Sequence, residues 1–236
     1  TRRSSDLPEE EIIKSVSVSG NSQIASEYIL NVVDTKAGTV INRDVIQADI
    51  EKIYNQGYFS FADVDVRPGD DGIDVVFAVQ ENPIIASINF AGVGVYDVAE
   101  LRELILSREG NVFNREFFRN DLDRIQEKYH KDGYVMARVS NVEIEGGNIT
   151  VTITEPEVKK IIIQGNKKTK TNVIRREIKM KEGEIFNAVK FRHQLSRLQG
   201  LGYFEDVNVK MLPGVEPNAI IMEVNVKERR TGTFGI

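Results

Sequence analysis

Few side chains in this chain could do chemistry. Its 236 residues include no cysteine and two histidines, His130 and His193. The missing cysteines remove disulfides, thiolate zinc sites and thiol nucleophiles. They leave the compartment open, because an oxidising compartment permits disulfides without requiring them. Both histidines fall in strongly polar helical patterns and are expected to face solvent rather than hold a metal. The sequence has no Gly-x-Ser-x-Gly elbow, no Walker-type loop and no pair of carboxylates in a glycine-rich or aromatic cleft pattern. Gly92-Val93-Gly94 could open a phosphate loop. It lacks the third glycine, however, and stands in a strand-to-helix turn that equivalent segments make without it, so a structural turn is expected. Asp63 and Asp65 alternate on a strand, and Asp70, Asp71 and Asp74 crowd a turn. They lack the ordered spacing and closing glutamate of a calcium loop, and are read as a solvated face. The expectation is a protein that is not an enzyme, with no catalytic, cofactor or metal site.

Chemistry of binding is better represented. The whole chain carries a net charge of −5, and the charge is unevenly divided. Residues 12–83 hold 5 basic against 11 acidic side chains, net −6. Residues 84–156 hold 8 against 12, net −4, and residues 157–228 hold 14 against 9, net +5. The basic side chains gather at Lys159, Lys160, Lys167, Lys168 and Lys170, then at Arg175, Arg176, Lys179 and Lys181. Such a patch suits nucleic acid, anionic headgroups, an acidic partner or plain solvation. The overall acidity and the lack of an aromatic-rich basic stripe argue against a nucleic-acid binder.

The elements that position these residues recur three times. Val16 and Val18 alternate with serines as a half-buried strand that Gly20-Asn21 ends. Ser22 is placed to cap a helix through about Val33. Gly38-Thr39-Val40-Ile41-Asn42 breaks the chain. A second helix follows with Ile46, Ile50, Ile53 and Tyr54 on one stripe. Gly57-Tyr58-Phe59 closes it, and two strands turn at 68–72. The same order restarts at Ile84 and again near Val158. Asp97 and Glu100 have capping-box spacing in the second copy, and Thr171 is the expected helix cap in the third. Gly20 to Gly38, Gly92 to Gly110 and Gly165 to Gly183 are each 18 residues apart. Asn42, Asn114 and Asn187 stand where each second helix should start, and asparagine is a favoured N-cap. The Gly-Tyr stop follows the second glycine by 19, 23 and 19 residues.

The fold class is therefore α+β: three tandem β-α-α-β-β domains, each a three-stranded mixed sheet covered by two helices. The boundaries read as a linker at 1–11, domains at 12–83, 84–156 and 157–228, and a tail at 229–236. The linkers around Pro83 and Pro156 are two residues long. Proline restricts its own and the preceding residue, so an elongated, semi-rigid row that bends at these joints is expected. A three-stranded sheet leaves two edges. The second strand of each copy is the expected exposed one: 61–67 with Val64 and Val66, 135–144 with Val135, Ala137 and Val139, and 205–210 with Val207 and Val209. An edge can take an extended peptide through main-chain hydrogen bonds. Asp63, Asp65 and Arg67 guard the first edge with charge, and the middle edge reads as less guarded.

The β-α-α-β-β unit, with Gly-Asn after the first strand and Gly-Tyr-Phe after the second helix, resembles the POTRA (polypeptide-transport-associated) domain. The middle copy departs slightly, with Gly92-Val93 and Gly133-Tyr134-Val135 at those places. Three in tandem resemble the periplasmic arm of the BamA-type outer-membrane β-barrel assembly factors. In the third copy, Val173 to Ile178, Gly202-Tyr203-Phe204-Glu205 and Val226 to Phe234 are similar to the barrel-proximal domain and the start of the barrel. The resemblance implies a soluble arm of a longer membrane protein, working in the periplasm or at a chloroplast outer envelope. It implies non-enzymatic binding of unfolded outer-membrane proteins at the strand edges, docking of accessory assembly lipoproteins, and membrane attachment through a C-terminal barrel. Arg175 and Glu182 match the motif positions for the accessory contact. Three domains rather than five leaves other lineages open, as well as a two-partner secretion, autotransporter-assembly or chloroplast-import arm.

Overall fold

The structure is a computed structural model that describes residues 11–69 and 71–230. Most of the expected linker and barrel start, and Asp70 of the first hairpin turn, lie outside the described residues. The first repeat runs β1 (Ile13–Ser19), α1 (Ser26–Leu30), α2 (Arg43–Asn55), β2 (Phe59–Gly69), β3 (Gly72–Glu81). The second runs β4 (Ser87–Ala91), α3 (Val98–Leu104), α4 (Arg115–Lys131), β5 (Arg138–Glu145), β6 (Asn148–Thr154). The third runs β7 (Glu157–Gln164), α5 (Thr171–Glu177), α6 (Ala188–Gly200), β8 (Phe204–Pro213), β9 (Ala219–Glu228).

Each sheet has its last strand in the middle: β1-β3-β2, β4-β6-β5 and β7-β9-β8. In the first and third sheets the central strand is parallel to the first strand and antiparallel to the second. A parallel partner needs a long crossover, which the two helices supply. Central strands alternate as a sheet with one covered face must. Ile73, Val75, Phe77 and Val79 are buried with Ile29, Ile46, Ile53 and Phe59. Ile220, Met222, Val224 and Val226 are buried with Ile174, Phe191, Leu198 and Phe204. Tyr54 leaves the expected stripe and is 41% exposed.

The chain divides into two compact units. One holds the residues up to Ile88 with Ile105–Asp121 and Ile144–Ile149. The other holds Asn89–Leu104, Leu122–Glu143 and the residues from Thr150 on. The middle repeat contributes to both, so each joint between repeats falls inside a unit.

Three polar devices recur. First, a glutamate at the end of each third strand accepts the N–H groups of the loop after the first strand. Glu81 takes Ser22, Gln23 and Ile24 at 2.7–3.0 Å. Glu155 takes Gly94 and Val95, and Glu228 takes Lys167, Lys168 and Thr169. This loop capture overturns two expected caps. Ser22 is spent on Glu81, and α1 begins after Ala25 with no side-chain cap. Thr171 lies inside α5, where its hydroxyl accepts Asn166 Nδ2. It also accounts for Gly92-Val93-Gly94: a Cβ at Gly92 would sit 2.2 Å from the Ile153 carbonyl, and Gly94 N–H feeds Glu155.

Second, asparagine caps each second helix. Asn42 Oδ1 accepts Asp44 and Val45 N–H, Asn114 accepts Phe117 and Asn187 accepts Lys190. Seven residues on, a buried side chain holds the segment that follows the first helix. Asp49 accepts the N–H of Asp34 and Thr35 and the Thr35 hydroxyl at 2.6–2.8 Å. Asp121 does the same for Leu106 and Ser107. Among the described residues Gln194 accepts Met180 N–H alone.

Third, each joint is stitched. Arg115 N–H donates to the Gly57 carbonyl at 2.9 Å, Asn114 Nδ2 to the Gln56 carbonyl at 2.8 Å, and Phe113 N–H to the Pro83 carbonyl. Asn82 Nδ2 bridges Gly57 and Phe113. In the second joint Ala188 N–H meets Gly133 at 2.8 Å, Asn187 Nδ2 meets Asp132 at 2.8 Å, and Phe186 N–H meets Pro156. Gly57 and Gly133 have φ of 86° and 93°. A Cβ there would lie 2.5 and 2.6 Å from the side-chain oxygens of Asn114 and Asn187.

Two outcomes follow for stability. Burial pushes the Asp49 carboxyl up, but the Asp34, Thr35 and Lys52 hydrogen bonds outweigh it and hold the group below its usual 3.8. A lowered folded value gives stability that is complete above the unfolded value and lost as pH falls through the folded one. Acid denaturation of Asp49→Asn should therefore show a shallower loss of stability below pH about 4 than the parent. At neutral pH, Asp49→Ala should cost about 3 kcal/mol, because buried donors lose their acceptor, and Gln194→Ala about half of that; denaturant titration checks both. Gly57→Ala should cost more than Gly202→Ala, where only left-handed backbone strain of about 1–2 kcal/mol applies. It should also speed hydrogen exchange at the Arg115 amide.

Candidate functional site

The third strand takes the centre of each sheet, so β2, β5 and β8 stand at edges. An edge offers main-chain donors and acceptors to an incoming strand, and what matters is which of them are already used. On β2, the Asp63 carboxylate accepts the N–H of Val64 at 2.8 Å, and Arg67 pairs with Asp65. Aspartate here does more than add charge, since it occupies an edge donor. On the middle edge, Gln126 of α4 reaches across. Its Nε2 donates to the Ala137 carbonyl at 2.6 Å and its Oε1 accepts Val139 N–H at 3.3 Å. The middle edge is thus guarded by an amide that sits on a helix, where a search for charged strand residues does not look. On β8, Arg229 Nε reaches the Phe204 carbonyl. From Glu205 to Pro213 no side chain bonds to the strand's main chain among the described residues, which makes β8 the most open of the three.

The edge valines are distributed unevenly. Val64 packs against the first core, and Val66 is 40% exposed. Val207 is buried and Val209 packs against the third core. Val139 is half-buried on β5. Val135 and Ala137 are not on the edge strand at all, because β5 begins at Arg138. Ala137 N–H closes a turn onto the Tyr134 carbonyl, and Ala137 is buried. The middle Gly-Tyr stop follows its glycine by 23 residues instead of 19, and α4 runs 17 residues to Lys131, against 13 in α2 and α6. Since most of these side chains face their own cores, what an edge chiefly presents outward is its main chain.

Arg175 and Glu182 each turn to the main chain of repeat three. Arg175 donates to the Met180 carbonyl at 3.3 Å, and Glu182 accepts Ile161 N–H at 3.3 Å. They are not paired with each other. In the same repeat Lys167, Lys168, Lys170, Lys179 and Lys181 are exposed, Arg176 is exposed and pairs with Glu177, and Lys159 pairs with Glu157 and Glu216. His130 and His193 are exposed, and His130 meets Gln126.

Glu155 stands apart from the other strand-end glutamates. It is 6% exposed and also accepts the Tyr129 hydroxyl at 2.6 Å. Burial, and then that bond, push Tyr129 far above the usual phenol range. Tyr96, stacked edge-on at 4.8 Å, donates to Asp132. Tyr96, Tyr129 and Tyr134 pack edge-on against one another, with centroids 4.8–6.4 Å apart.

Comparison with known proteins follows the repeat. Residues 11–82, 83–155 and 156–229 each match the POTRA family, described as the surface antigen variable number repeat. The outer membrane protein assembly factor BamA of Neorickettsia risticii is 24% identical over 95% of this chain, which spans 34% of that protein's length. The N-terminal domain of Omp85 from Thermosynechococcus elongatus is 25% identical with a TM-score of 0.81, covering 93% of this chain and 98% of that one. POTRA1-3 of the periplasmic domain of Omp85 from Anabaena is 27% identical with a TM-score of 0.69, covering 94% and 96%. Matched along nearly its whole length, the chain belongs to the POTRA family as three tandem repeats.

Proposed function

We propose that this chain is the periplasmic arm of an outer-membrane β-barrel assembly factor, and that it holds unfolded barrel proteins by adding their strands to its sheet edges. The observation that carries this reading is the free run of β8 from Glu205 to Pro213 at the edge of the third sheet. Main-chain pairing suits clients that share alternating strands but no common sequence. The partly occupied edges β2 and β5 act as weaker stations. Arg175 and Glu182, with the exposed lysines and arginines of repeat three, form the face for an accessory lipoprotein. A C-terminal barrel attaches the arm to the membrane. The domains at 12–83, 84–156 and 157–228 are the working modules, and the arm performs no catalysis.

Titration of the ¹⁵N-labelled chain with a peptide copied from one strand of an unfolded outer-membrane protein tests the edge mechanism. Amide shifts should be largest along β8, smaller on β2 and β5, and near zero on the helices. Affinity in the range of about 0.1–1 mM is expected for so small a contact. Shifts confined to helices, or none on any edge, would sink the mechanism. For the accessory face, Arg175→Glu should weaken capture of the lipoprotein by about tenfold, as loss of one charge-assisted contact would, while leaving the peptide shifts unchanged.

A further inference from the structure

The open edge of β8 ends at a cleft. Pro213 has no N–H, and the Gly214 N–H already donates to the Ala219 carbonyl at 2.9 Å. The strand therefore offers an added chain no N–H past Leu212. From there the chain turns through residues 214–218, where the middle hairpin turns through 146–147 alone. Between the longer turn and the start of β5 lies a space of about 310 Å³. Met136, Arg138, Met211, Leu212, Pro213 and Ile220 line it. All of them belong to one compact unit.

The lining suits a side chain. Met136 and Met211 pack against the third core, Ile220 is buried in it, and Leu212 is 40% exposed. Two of the chain's four methionines thus meet in one cleft. Methionine is flexible and polarisable, and adapts to apolar and aromatic groups of different shape. The volume is at the lower end for a ligand site, enough for one large side chain. Arg138 is exposed, and no carboxylate among the described residues pairs with it. The main chain of β5 next to it is already engaged, since Gln126 holds the Ala137 carbonyl and the Val139 N–H. A chain leaving β8 here meets an apolar cleft and a cation instead of more backbone.

We propose that this cleft takes one large apolar or aromatic side chain of the strand that adds to β8. Arg138 pairs with an acidic side chain two residues along, on the same face of that strand. The occupant follows from what borders the cleft. The open edge accepts extended chain, and the guanidinium favours a carboxylate beside the apolar group. The site gives the third edge a sequence preference that main-chain pairing lacks. It rests on the strand-addition reading of β8 and adds side-chain selection to it.

NMR of the chain labelled with ¹⁵N and with ¹³C at its methionine methyls tests it. The probe is a decapeptide of alternating valine and threonine, capped at both ends. It carries phenylalanine and glutamate two residues apart near each end, so that either strand direction brings the pair to the cleft. Amides of β8 report strand addition. The Met136 and Met211 methyls report the cleft, and Met180, buried in the core, is the internal reference. Both reporters should move together while Met180 stays. Serine in place of phenylalanine should weaken binding about tenfold and abolish the methyl shifts, with β8 shifts kept at higher peptide concentration. Glutamine in place of glutamate should cost about threefold, as loss of an exposed charge pair would, and Arg138→Glu should abolish that preference. These peptide changes leave the folding of the protein untouched. Amide shifts on β8 without methyl shifts at Met136 and Met211, or equal affinity for the phenylalanine and serine peptides, would overturn the cleft and leave the edge reading standing. Methyl shifts without β8 amide shifts would overturn the edge reading and this inference with it.

Discussion

In a domain of this size the loops hold many backbone N–H groups that no sheet or helix satisfies, and one glutamate per repeat answers for the worst of them. Glu81, Glu155 and Glu228 sit at the exit of the central strand and gather the N–H groups of the loop that follows the first strand. Two or three N–H groups on one carboxylate tie the start of each repeat to its end, with the donors mostly exposed at Glu81 and Glu228 and half-buried at Glu155. The rest depends on that tie. With the loop pinned, the first helix begins late and stays short. The second helix then lies over the sheet from an asparagine cap, and Asp49 or Asp121 reaches back to hold the segment after the first helix.

Several parts of this plan were legible in the residues. The glycine spacing and the asparagines at 42, 114 and 187 marked the second helices because a cap is a local interaction. The alternation in 73–79 marked a half-buried strand because the period of a sheet is local too. The first-helix caps at Ser22 and Thr171 were misread, since a local cap rule cannot see a carboxylate 59 residues away. Asp49 and Asp121 share a position seven residues after the asparagine. That repeated acid on an apolar helix face was the available signal for a buried acceptor, and the glutamine at 194 shows the third copy relying on it less. Val135 and Ala137 continue the alternating run of the middle edge in sequence, yet β5 begins only at Arg138. A turn onto Tyr134 and the reach of Gln126 decide that stretch instead.

The same economy shapes the sheet edges. Placing the last strand in the centre leaves the first and second strands as flanks in every sheet, so the fold cannot avoid edges and has to manage them. Repeat one spends Asp63 on its second strand and repeat two spends Gln126, whereas in repeat three no side chain among the described residues bonds to the main chain of 205–213. The openness coincides with the only basic repeat. Joints between repeats use carbonyls at the helix ends instead, which keeps the edges free while the repeats are held together.

The central claim is that the third sheet edge, not a helix face, receives an unfolded strand. Site-specific photocrosslinking in cells, within the full-length protein, tests it most directly. A photoreactive residue at Asn208, exposed on β8, is compared with one at Arg192, exposed on α6. The account predicts adducts with unfolded outer-membrane proteins at Asn208 and none above background at Arg192. Equal labelling at both positions, or labelling at Arg192 alone, would contradict it.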